Sequence, residues 1–176
     1  MFFRNLTLFR FSAAVAADLS RLDEALPYHR LRAIGPMELS TRGFVSPFGI
    51  SSDALTHSVG PVTALRTGFH DKILPSSVIN DEVAVRVQKI ADTEGRNVGG
   101  RERKRIKEDV LNELVPRALV RTGAMRCYAD KKHGWLVFDT SSRKAAENSL
   151  SMIREALGSF AAVPLAPEES PRTLMT

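Results

Sequence analysis

The chain has 176 residues, 43% of them hydrophobic and 26% charged, with a formal net charge of +5. That length supports one substantial core, and that balance excludes a disordered or collagen-like chain. No stretch approaches the roughly 18 apolar residues of a membrane span, and a single cysteine, Cys127, rules out a disulfide within the chain.

The opening "MFFRNLTLFRFSAAVAADL" has two arginines and no acid before Asp18. Arg10 breaks its apolar run and no small-residue cleavage site follows, so a strand and then a helix explain it better than a targeting peptide. Residues 2–11 alternate like a half-buried strand. Ser12 is placed to cap a helix whose Val15, Leu19, Leu22 and Leu26 share one face, and Pro27 ends it. From 28 to 74, Gly35-Pro36, Gly43, Pro47, Gly49, Gly60-Pro61 and Gly68 divide short apolar runs, which predicts short strands and turns. A second helix follows Pro75-Ser76-Ser77, with Ile79, Val83, Val87 and Ile90 as its buried stripe. It fades in the polar connection "DTEGRNVGG".

A third helix lies in "GGRERKRIKEDVLNELVPRA" (99–118). "AMRCYADKKHGWLVFDT" (124–140) then reads as a β-hairpin turning at Lys131 to Gly134. Trp135 and Phe138 are expected in its core rather than on a base-stacking platform, and Cys127 as a buried, inert thiol. Ser141 or Ser142 caps a fourth helix with Ala146, Leu150, Ile153 and Leu157 on one face; Gly158 closes it. A last strand, "FAAVPLA", precedes a tail containing Pro and Glu. The expected class is α+β, a mixed sheet or sheets with four helices. The expected divisions are an N-terminal α+β region (1–95), a basic helix region (96–123), a hairpin, helix and strand (124–167) and a tail (168–176).

The charge is concentrated. Between Arg96 and Lys132 stand eleven basic and five acidic residues, a net of +6, so the other 139 residues sum to −1. Such segregation favours a polyanionic partner over general solubility. In the third helix, Ile106, Val110, Leu114 and Ala118 form an apolar stripe. Arg103 and Lys107 project along that same stripe, whereas Arg101, Lys104 and Arg105 point elsewhere. The first turns are therefore positive nearly all round. Laid flat on their own subunit they would bury unpaired charge, which costs on the order of several kcal/mol per ion; the simplest escape is to protrude. Glu102, Glu108 and Asp109 neutralise only part of this charge. With Arg96 before the helix and Arg117, Arg121 and Arg126 after it, the segment suits phosphates. No zinc-finger spacing, RNP-type aromatic motif or helix-turn-helix is visible, so backbone binding without sequence preference is expected.

Other constellations are weaker. Asp53 and His57 in "SSDALTH" stand at i, i+4 with Ser52 beside them, but triad members come from separate segments. Capping or a local hydrogen bond is the expected role. His70-Asp71 and Asp81-Glu82 lack metal-ligand spacing, and no GxxxxGK loop is present. No metal, cofactor or catalytic residue is expected. The competing functions are a protein-interaction module docking on an acidic partner and a metal-dependent nuclease using the scattered Asp and His residues.

Taken together, "FFRNLTLFR", "GFVSPFG" with "DALTH" close behind, "KILPSSVI", "EDVLNELVPRA" and "MIREALGSFAAVPL" resemble, in order and spacing, the RdgC family of bacterial recombination-associated proteins. The resemblance implies a cytoplasmic, nucleoid-associated, non-enzymatic protein that binds double-stranded DNA without sequence specificity and without a cofactor. It implies a ring-shaped homodimer around DNA that restrains the RecA recombinase by occupying the DNA. The chain resembles the N-terminal portion of a longer family chain. It is either a fragment or a truncated relative unable to form the DNA-encircling ring. Where well-studied members place a phenylalanine at the dimer gate, just after "PRA", this sequence has Leu119. The resemblance therefore implies an apolar but smaller plug at that position.

Overall fold

A computed structural model describes residues 3–49 and 52–165. The expected tail, 168–176, lies outside the described residues. In chain order the elements are β1 (Thr7–Phe11), α1 (Ala13–Ala16), α2 (Leu22–Ala25), β2 (Ser40–Val45), β3 (Thr56–Val59), β4 (Val62–Ile73), α3 (Ser76–Glu94), α4 (Gly100–Leu114), β5 (Leu119–Asp130), β6 (Trp135–Phe138), α5 (Arg143–Leu157) and β7 (Ala162–Pro164). Seven strands form one sheet in the order β2-β4-β5-β6-β1-β7, with β3 also paired to β4. Antiparallel registers join β1 to β6 and β7, β3 to β4, and β5 to β6. The protein is α+β, with four helical segments and an antiparallel sheet among the described residues.

The first helical segment is not one α-helix. It alternates α1 and α2 with 3-10 turns at Ala17–Arg21 and Leu26–His29. Pro27 sits inside the last turn rather than before its end, at a position where the missing N–H costs no hydrogen bond. Ser12 precedes α1, but its side chain makes no capping bond; its carbonyl instead accepts from Val15 and Ala16. The buried face survives this winding, since Leu19, Leu22 and Leu26 are all covered.

The stretch expected to hold only short strands contains the twelve-residue β4, which runs straight through Gly68. Thr63, Leu65 and Thr67 alternate into the core. A side chain at Gly68 would press on Leu31 and Val45, so glycine is kept here for close packing.

Two compact units divide the chain. The first comprises the described residues within Met1–Leu31, Arg42–Gly68 and Ala124–Thr176; the second comprises Arg32–Thr41 and Phe69–Gly123. The core of the first gathers Phe9, Phe44, Leu65, Cys127, Leu136 and Phe138 with Leu150 and Ile153 of α5. Ser142 caps α5 by accepting from Ala145 N–H at 3.3 Å, and Gly158 ends it with φ 79°. Ala146, Leu150, Ile153 and Leu157 are buried as their spacing predicts. Desolvation raises the Cys127 thiol far above its ordinary range, so it stays protonated and unreactive.

In the second unit α3 packs on α4. Ile79 and Val83 meet Ile106 and Val110, flanked by the partly covered Val87, Ile90, Val98, Leu111 and Leu114. Arg86 ties the pair together: it donates to Glu113 of α4 at 3.0 and 2.6 Å and to Glu82, one turn back on α3, at 3.2 Å.

Candidate nucleic-acid interface

The candidate site is the N-terminal half of α4. Gly99 is its N-cap, with extended backbone and no side-chain cap. Its carbonyl accepts from Arg103 N–H at 2.9 Å. Helix formation then follows from the straight-chain residues Arg101 to Arg105 and Lys107, which lose little rotamer freedom in a helix, and from the apolar pair Ile106 and Val110 that seats it on α3.

Of the carboxylates that a charge count assigns to this cluster, Glu102 is engaged elsewhere, whereas Glu108 and Asp109 are exposed and make no ion pair among the described residues. Glu102 accepts two hydrogen bonds from Arg96, at 2.6 and 2.7 Å, and Arg96 also donates to Glu94 at 2.5 Å. That fork holds the Glu102 carboxyl below the usual carboxylate range. At the other end of α4, Glu113 is taken by Arg86, which likewise lowers its pKa.

What remains is a set of cations without partners. Arg101, Arg103, Lys104, Arg105 and Lys107 are all exposed, and none has a side-chain hydrogen bond or ion pair among the described residues. Arg103 and Lys107 share a face with the apolar stripe in sequence, yet the contact with α3 centres on Ile106 and Val110 and leaves both in solvent. The stripe itself ends early: α4 stops at Leu114, and Ala118 lies beyond the 3-10 turn Val115–Arg117.

The other candidates divide. Arg96 is occupied by its two glutamates. Arg121 is exposed but meets Asp71 at 3.3 Å and lies 5.7 Å from the Phe69 ring centre. Arg117 is exposed and its charge helps lower Glu113. Leu119, at the start of β5, is 77% exposed, with Val120 beside it at 42%. The structure therefore leaves Arg101, Arg103, Lys104, Arg105 and Lys107 exposed and unpaired on the first two turns of α4 and sets Arg96 and Arg121 in ion pairs. Sequence reasoning missed the Arg86–Glu113 tie; only the length of the Arg side chain and its place on the neighbouring helix hinted at it.

Residues 52–57 of "SSDALTH" form no helical turn. Asp53 pairs with Arg30 at 3.3 Å, His57 lies in β3 with its ring 4.8 Å from that of Phe48, and Ser52 accepts from Ala54 N–H. Among the described residues no group of three or more His, Cys, Asp or Glu is arranged to hold a metal ion, and no helix is long and apolar enough to cross a membrane.

The family model described as "Putative exonuclease, RdgC" matches residues 1–176. The chain is 47% identical over 177 residues to a protein named "Recombination-associated protein RdgC" from Xanthomonas campestris pv. campestris strain B100. It is 48% identical to the protein of that name from Xylella fastidiosa strain M12, and 46% to that from Xanthomonas axonopodis pv. citri strain 306. Each match covers all of this chain and 58% of the relative, so the chain spans little more than half the length of these proteins.

Proposed function

The chain belongs to the RdgC family, and from that premise we propose that it binds duplex DNA through its phosphates, without sequence preference, and so modulates homologous recombination. One observation carries this reading. Five cations on the first two turns of α4 stay in water with no carboxylate partner; Glu102 is taken by Arg96 from outside that patch, and the exposed Glu108 and Asp109 offset two of the five charges. Lysine and arginine so placed release condensed counterions on meeting a duplex, a gain independent of base sequence.

The recombination role follows from occupancy: a coated duplex is withheld from the RecA recombinase. A homodimer meeting at the exposed Leu119 would hold two such helices to one duplex, in a nucleoid-associated protein. These statements concern the whole family chain, of which this one spans 58%. The nuclease named in the family description is the competing reading. A metal site for it would draw on residues beyond those described, or on the part of the relatives that this chain does not span.

The test is an equilibrium titration of two short duplexes of unrelated sequence between 50 and 300 mM salt, on the order of the range over which phosphate contacts are read. Similar affinities and a steep log–log slope are expected. Replacing Arg101, Arg103, Lys104, Arg105 and Lys107 by Ala should flatten the slope by about 4. An unchanged slope would overturn the reading, and shortening of end-labelled duplex with added magnesium or manganese would favour the nuclease.

A further inference from the structure

We infer that the first unit carries a second phosphate-binding site, separate from α4, in the cleft beside the β5–β6 turn. This inference rests on the duplex-DNA reading and adds a contact to it. The cleft has a volume of about 1060 Å³ and is lined by Arg10, Lys131, Lys132 and His133 together with the loop after α5. No Asp or Glu lines it. Asp130, at the base of the turn, is spent internally: its carboxylate accepts from the backbone N–H groups of Lys132 and His133 and meets His133 Nδ1 at 2.7 Å.

Three of the other cations, Arg10, Lys131 and Lys132, make no ion pair among the described residues. Neither lysine has a side-chain hydrogen bond or ion pair among the described residues, and Arg10 has only a stacking contact, 4.5 Å above the Trp135 ring. Arg154 lines the cleft too, but it is committed to the carbonyls of Phe160 and Ala162 at 3.0 and 2.9 Å. The C-terminus of α5 opposes an anion here with about half an elementary charge. Three full positive charges on Arg10, Lys131 and Lys132 outweigh it.

The geometry is fixed in advance. Phe11 N–H donates to Gly134 O at 2.9 Å, so the turn is clamped against the strand that carries Arg10. Gly134 has φ 70°, and a Cβ there would fall 2.3 Å from Phe11 O. Only glycine lets the two backbones approach this closely. The cations on either side are thus held together by main chain rather than gathered by the ligand, which lowers the ordering cost of binding.

The occupant proposed is the sugar-phosphate backbone of DNA. The test follows backbone amides of the intact 176-residue chain by NMR during titration with a 12-base-pair duplex, and separately with inorganic phosphate. Shifts at Lys131 to Gly134 and at Arg103 to Lys107 are expected with the duplex. The double variant Lys131→Ala, Lys132→Ala should weaken duplex binding at least about fivefold and flatten the salt slope by about 2, while the α4 amides still respond. A response confined to α4 would overturn the cleft alone. A response confined to the cleft would support it and sink the role given to α4. Silence at both would overturn the duplex reading and the cleft with it, whereas cleft shifts produced by inorganic phosphate and not by duplex would overturn the cleft as a DNA contact.

Discussion

Glu102 decides how much positive charge the first turn of α4 presents. Its carboxylate is forked by Arg96, so one glutamate both subtracts a charge from the patch and withdraws an arginine from it. Glu102→Gln keeps the size and removes both effects. Duplex affinity is expected to rise and the salt slope to steepen by about 1, with a small fall in melting temperature because an acid is lost from a helix N-terminus. A variant that bound DNA more weakly would show that Glu102 shapes the site instead of restraining it. Glu38 is a structural counterpart. Arg32 and the Gly35 N–H hold it down to about 2, against an ordinary 4.5. A depressed folded pKa means that its contribution is complete above about pH 4.5 and is lost as pH falls toward 2. Melting temperature followed from pH 6 to pH 2 should therefore drop more steeply in the wild type than in Glu38→Gln.

At the scale of elements, α4 separates into a half that is held and a half that is displayed. Ile106 and Val110 are buried against α3, so Ile106→Ala should cost about 2–3 kcal/mol in chemical denaturation. Lys104→Ala, half a turn away and exposed, should leave the denaturation midpoint within experimental scatter. Equal losses from both would mean that the cationic turns are packed after all. The same division explains what was legible beforehand. The stripes of α3 and α5 could be read because a helix's apolar period is written locally, and Ala146 to Leu157 are covered as spaced. Glycine punctuation misled at β4, because an extended Gly68 under Leu31 and Val45 leaves the same letter as a turn. Ser12 failed as a side-chain cap for a similar reason: the residue type permits the bond, and local winding decides whether it forms.

For the molecule as a whole, the +6 carried between Arg96 and Lys132 is the feature that composition reads correctly and cannot resolve. Sequence placed the charge on one stretch. Only the folded chain shows which cations are already matched, Arg96 and Arg121 among them, and which are left over. The units themselves are discontinuous: the second combines Arg32–Thr41 with Phe69–Gly123, a grouping that contiguous shifts in composition do not express. Pairing between distant carboxylates and arginines, like the grouping of distant segments, is settled by where side chains end up.

The bare glycine start of α4 has an enzymatic corollary. A helix end with no side-chain cap opens readily, and five exposed lysines and arginines just beyond it are the residues after which trypsin cuts. Brief digestion should nick the chain first between Arg101 and Lys107, and a bound duplex should shield that stretch. First cleavage elsewhere, or nicking indifferent to DNA, would mean that the opening turn of α4 is neither the loosest accessible point nor the one a polyanion covers.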